Sequence, residues 1–189
     1  MSKSEEKKQK RIELIERYEN REQKVRQLRQ LLGIRIDDID LAARALTCSD
    51  FAAKYYDATK QVIPTQDALA TLGDAVIKLV VAETLYRENP AITCGELTLW
   101  KSKLEKDKAL QGLGERLHLG DYLLYTNTDL KGTAKLATTI EAIAGAIYLD
   151  RGKRAVVSFW KHIHRIAESV LKPSNTVYDG SLNEEERSV

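Results

Sequence analysis

An all-α bundle of six to eight helices is the fold that this sequence predicts. Apolar residues recur at three- and four-residue spacings through most of the chain, no stretch alternates as a half-buried strand does, and the periodic runs stop at Gly or Pro. A hydrophobic content of 43% over 189 residues suits one domain with an ordinary core and excludes wholesale disorder. The apolar runs are short, and the one from Ala75 to Ala82 is broken by Lys78. No spanning helix or secretory signal is expected, so the chain reads as soluble and cytoplasmic, with no membrane partner.

The first helix is expected from Ser4 to about Leu32, with Ile12, Ile15, Val25, Leu28, Leu31 and Leu32 as its apolar positions and Gly33 as its stop. Asp40 to Ala53 repeats Leu41, Ala45 and Leu46 at helical spacing, and the stretch before Pro64 reads as a loop. A long helix follows from about Thr65 to Arg87. Thr93-Cys-Gly-Glu96 has the form of a capping box, in which Thr93 accepts from a backbone N–H while Glu96 reaches back. From Lys101 to Gly114 the chain is charged and helical, with Lys101 and Lys108 two turns apart. Asn127-Thr-Asp129 and Lys131-Gly132 form a polar turn before a helix from about Ala134 to Leu149. After Asp150-Arg-Gly152 a last helix reaches about Leu171, where Pro173 ends it.

Charge divides the chain into three expected parts. Residues 1–27 form a basic helical arm, since residues 1–30 hold ten Lys/Arg against six Asp/Glu. Residues 28–172 form a near-neutral domain. Residues 173–189, with one Arg against four acids, form a flexible acidic tail. A basic arm suits phosphate contact, and equally a solvated helix of i,i+4 ion pairs. Cys48 and Cys94 are too few for a disulfide framework or a four-ligand zinc site, and His118, His162 and His164 do not supply one.

Chemistry concentrates in two acidic helical segments. Asp67-Ala-Leu-Ala-Thr-Leu-Gly-Asp74 sets two carboxylates seven residues apart, near two full turns, on one face. Thr138-Thr-Ile-Glu141-Ala-Ile-Ala-Gly145 carries the third. Gly73 adjoins Asp74, and Ala142 and Gly145 follow Glu141, so the two helices are expected to cross closely and bring their acids together. Unpaired carboxylates in apolar helices are costly, and a hard cation such as Mg²⁺ neutralises them through oxygen ligands while keeping several waters. The competing reading is a carboxylate satisfied by a nearby Lys, such as Lys78 at i+4 from Asp74.

Taken together, these motifs resemble the ribonuclease III family, whose signature runs acidic residue, two spacers, Glu, aromatic, Leu-Gly-Asp, with Asp-x-x-Glu-Ala on a later helix. The resemblance covers about residues 28 to 165. It includes Arg44-Ala-Leu-Thr47, Gly95-Glu-Leu-Thr98 and Gly145-Ala-Ile-Tyr-Leu-Asp150 in the family's order. It implies a ribonuclease III-like bundle that binds Mg²⁺, with Mn²⁺ as a substitute, and cuts structured or double-stranded RNA as a homodimer. By position it implies Asp74, Glu141 and Asp67 as catalytic residues. Asp74, Glu141, Glu96 and Asp129 become metal-site residues, and Lys101, Lys108, Lys131 and Lys135 become RNA contacts.

Three positions depart from the pattern. Ala70 stands for the signature Glu, Thr138 for the Asp of the second helix, and Thr71 for the aromatic that inserts into a dimer partner. The compact Mini-III branch, without a double-stranded-RNA-binding domain, has similar Ala-x-x-Gly-Asp-Ala and Thr-x-x-Glu-Ala segments, and there an acid before the second helix corresponds to Asp129. The resemblance therefore implies an active endoribonuclease. The alternatives are a catalytically silent ribonuclease III domain that binds RNA or a ribonucleoprotein, and a protein-interaction scaffold without RNA.

Overall fold

A computed structural model describes residues 2–105, 107–126, 130 and 133–170. Among the described residues the architecture is helical throughout, with one 3₁₀ turn and no strand beyond a single bridge between Thr47 and Leu124. The N-terminal run forms two helices, α1 (Lys3–Glu19) and α2 (Arg21–Leu32), where one was expected; the chain turns at Asn20. The halves separate because their apolar faces go to different partners. Leu14, Ile15 and Tyr18 pack on Phe51, Tyr55 and Leu124, while Val25, Leu28 and Leu32 enter the main core. Gly33 ends α2 in the left-handed region at φ 56, as its position predicts.

The expected Asp40–Ala53 helix is likewise two, α3 (Ile39–Ala45) and α4 (Ser49–Thr59). Its interruption is where Arg44-Ala-Leu-Thr47 has its physical role. Arg44 Nε donates to Thr65 O at 3.0 Å, Thr47 O accepts from Gln66 N at 2.9 Å, and Leu46 and Cys48 exchange backbone bonds with Leu124. These bonds tie the end of α3 to the start of α5 (Asp67–Glu88), the long helix expected there.

The next helical spans are α6 (Cys94–Glu105) and α7 (Asp107–Arg116), on either side of residue 106, which lies outside the described residues. Lys101 falls in the first and Lys108 in the second, at the spacing of two turns expected of them. The 3₁₀ turn covers Leu119–Asp121. Helix α8 (Lys135–Val170) runs through the middle of the molecule, with a non-helical residue at Gly152 (φ 75), the point where the sequence divides it. Its first half is buried almost all round. Ile140, Ala142, Ala144 and Ala146 are inaccessible, and α5 lies along it through Leu69, Val76, Ile77 and Val80. The main core thus comprises α8 wrapped by α2, α3, α5 and α7.

Candidate active site

Small residues decide where the carboxylates stand. A Cβ built on Gly73 would lie 1.7 Å from the backbone O of Glu141, and one on Gly145 would lie 2.2 Å from Leu69 O. At this crossing α5 and α8 touch main chain to main chain, which only glycine permits. The contact brings Asp74, one residue past Gly73, beside the turn of α8 that carries Glu141. The close crossing expected from the sequence is present.

Asp74 is half-exposed, and its Oδ2 accepts from Lys78 Nζ at 2.6 Å. The partner is the lysine one turn on that the sequence marks as the alternative to a metal. Glu141 is also partly exposed, at the edge of the crossing. Asp67 lies near the start of α5, where its Oδ2 accepts from the hydroxyls of Ser49 and, at 2.9 Å, Thr65. Ala70 is buried between the two acids of α5, and Thr138 turns its hydroxyl to Ala134 O at 3.0 Å. Among the described residues, no three His, Cys, Asp or Glu side chains group so as to hold a metal ion. Asp74 and Glu141 are the two carboxylates that adjoin the crossing.

The other expected site residues have the following partners. Glu96 is exposed and closes the capping box of α6, its Oε2 accepting from Thr93 N at 2.9 Å and from the Thr93 hydroxyl at 2.8 Å. Lys108 is exposed on α7. Lys135 opens α8 and donates to Asp50 Oδ2 at 2.8 Å. Lys101 belongs to α6 by its backbone, while its side chain, with Asp129 and Lys131, lies outside the described residues.

Asp50 is the residue that sequence reasoning missed. Besides Lys135 it accepts from the backbone N–H and the hydroxyl of Thr126, both at 3.1 Å, and so pins the segment before α8 to the N-terminus of α4. In the sequence it looks like an ordinary acid in a first helical turn, so its long-range role had no signal. Beneath it a buried polar set joins three helices. Gln66 Nε2 donates to Cys48 Sγ at 3.5 Å, and Gln66 Oε1 accepts from the Thr139 hydroxyl at 3.1 Å. Burial, reinforced by the charge of Asp50, pushes the Cys48 thiol up to about 12, so it is a packing group without thiolate reactivity.

A helical bundle with these motifs in this order, and with acids near a glycine-bracketed crossing, has the architecture of a ribonuclease III-like domain. The chain belongs to the Ribonuclease-III-like family, whose profile matches residues 38–166. It is 37% identical over 125 residues to the ribonuclease 3 of Gloeobacter violaceus, covering 62% of this chain and 52% of that protein. To the ribonuclease 3 of Natranaerobius thermophilus it is 36% identical over 139 residues, covering 69% and 58%. The chain spans about half the length of the curated relatives it matches. Among solved structures, it is similar to the nuclease domain of ribonuclease III from Campylobacter jejuni, with a TM-score of 0.60 and 28% identity over 76% of this chain and 96% of that one. That structure is described in terms of flexibility in a region involved in dimer formation.

Proposed function

We propose that this protein is a divalent-metal-dependent endoribonuclease of the ribonuclease III type, acting in the cytoplasm on structured or double-stranded RNA as a homodimer. The observation that supports the reading is the glycine-bracketed crossing, which sets the turns carrying Asp74 and Glu141 against each other, at positions that resemble the family's metal-binding acids. The donor set fits a hard cation of the Mg²⁺ or Mn²⁺ kind, because Mg²⁺ is ordinarily held by one or two carboxylates, with waters and substrate phosphates completing its shell. When bound there, the ion would supply a more acidic water and charge stabilisation for the leaving oxygen.

The chain's own groups have separate parts in this proposal. Asp74 and Glu141 hold the cation, and Lys78 covers the charge of Asp74 while no cation is present. Asp67, fixed by two hydroxyls, orders water at the far end of the α5 face. Lys108, with Lys101 and Lys131, meets phosphates, and recognition follows A-form shape and 2′-hydroxyls instead of base sequence. Glu96 serves α6 through its capping box, and Asp129 is the further acid that the family resemblance assigns to the metal site. Two observations favour a second reading, a catalytically silent RNA-binding domain: Ala70 and Thr138 offer no carboxylate, and Asp74 already has a cationic partner.

One experiment separates them. The full chain is titrated with Mn²⁺ alone, followed by electron paramagnetic resonance, and then incubated with duplex RNA and Mg²⁺. The proposal expects Mn²⁺ binding and cleavage of duplex RNA with duplex DNA left intact, both lost in Asp74→Asn and Glu141→Gln. A parent that does neither, with an Ala70→Glu/Thr138→Asp variant that does both, supports the silent domain instead.

A further inference from the structure

A second site lies away from the crossing, where the connection after α2 faces the later part of α8. A cavity of about 610 Å³ opens there between Gly33–Arg35 and the stripe Arg151, Ala155, Ser158, His162 and Arg165. These five α8 positions follow one another at three- and four-residue steps and so share a face. The middle of the stripe is small, and Ile147 and Phe159 complete an apolar floor. Arg151 is ten residues beyond Glu141, roughly 15 Å along the helix axis.

Cations mark both ends of the hollow. At one end Arg35 and Arg151 converge on a single carboxylate, Asp37, at 3.0 and 2.5 Å. Asp150 turns its oxygens to the backbone N–H groups of Asp37 and Asp38. At the other end stand Lys161 and Arg165, neither with a carboxylate partner among the described residues. Arg165 Nη2 donates to His162 Nδ1 at 2.8 Å, so that nitrogen accepts in this arrangement. Gly33 keeps the wall open, since a Cβ there would stand 3.0 Å from His162 Nε2.

We infer that this cavity binds a nucleotide with phosphate at two ends, of the nucleoside 3′,5′-bisphosphate class, independently of the metal site. The volume is that of a small-molecule site, and small-molecule sites are apolar with a few convergent polar groups. Here the convergent groups are guanidinium and ammonium, whose matching ligand is phosphate. Cations at both ends with an apolar hollow between them match a ribose carrying phosphate on its 3′ and 5′ oxygens, with its base laid on the apolar floor. One phosphate would satisfy half the site.

Isothermal titration of the full chain with adenosine 3′,5′-bisphosphate tests this, with adenosine 5′-monophosphate and inorganic phosphate as comparison probes. The bisphosphate is expected to saturate one site, the monophosphate to bind at least tenfold more weakly, and phosphate more weakly still. Lys161→Ala/Arg165→Ala should lower bisphosphate affinity at least tenfold while circular dichroism and melting stay unchanged. Ala155→Phe, which fills the hollow, should abolish binding, and Asp74→Asn should leave it intact. Absence of saturable binding, equal affinity for inorganic phosphate, or indifference to Lys161→Ala/Arg165→Ala would overturn the assignment. So would loss of binding in Asp74→Asn, or full displacement by a short RNA duplex, which would make the cations part of an RNA surface.

Discussion

Replacing Gly73 by Ala tests the crossing that organises the candidate site. The added Cβ would lie 1.7 Å from Glu141 O, whereas real Cβ contacts essentially never fall below 3.0 Å, so the two helices must part by about 1.3 Å. Nothing flexible can yield, because the obstructing atom is backbone. Overpacking of this kind costs about 3 kcal/mol or more. Alanine's better helix propensity returns about 1 kcal/mol, leaving a net loss of roughly 2 kcal/mol or more. For a domain of this size that lowers Tm by roughly 4–8 °C. Gly112→Ala is the internal control: it sits inside α7 with nothing within 4 Å of the new Cβ, and should stabilise by about 0.5–1 kcal/mol. Urea unfolding followed by circular dichroism measures both. Equal stability of Gly73→Ala and the parent would refute the main-chain contact, whatever the control does.

Further outcomes follow from other parts of the structure. Leu32 is fully inaccessible in the main core, so Leu32→Ala should cost about 2–5 kcal/mol in urea unfolding; a loss near that of a surface change would detach α2 from the domain. Hydrogen bonds from Lys153 and Arg87 hold the Glu83 carboxyl below its ordinary value of 4.5. Its folded value being the lower one, the stabilisation is complete above the ordinary value and is lost as pH falls through the lowered one. Glu83→Gln should therefore flatten the decline of Tm in that acidic window, and an unchanged slope would contradict the pairing. Removing the ammonium beside Asp74 with Lys78→Met should raise Mn²⁺ affinity several-fold, because a neighbouring cation opposes a second one. As an exposed ion pair it should change stability by no more than about 0.5 kcal/mol. Unaltered Mn²⁺ affinity would show that Asp74 takes no part in holding the ion.

Local rules read the strongest elements well. The span of α5, the capping box of α6 and the break at Gly152 all follow from apolar spacing, a cap pattern and a single glycine. The meeting of α5 and α8 was legible because Gly73 adjoins Asp74 and Gly145 follows Glu141 by one turn, in otherwise apolar runs. What the sequence hid is tertiary. The turn at Asn20 carries no side-chain cap; it exists because Tyr18 and Val25 belong to different clusters. The gap between α3 and α4 is held by backbone bonds to Leu124, nearly eighty residues away. Asp50 anchors Lys135 across a similar distance. Periodicity ranks the faces of one helix and says nothing about which distant group meets them.

The bare crossing also limits how the molecule can move. Packed helices shear by sliding a little while the side chains between them adjust. At the two points where Gly73 meets Glu141 O and Gly145 meets Leu69 O there is no side chain to adjust, and each glycine faces a carbonyl that would strike a Cβ if the register slipped. The pair behaves like two notched beams seated in each other. Asp74 and Glu141 therefore travel as one rigid unit, and any adjustment to a substrate falls to side-chain rotation at the rim or to the surrounding helices.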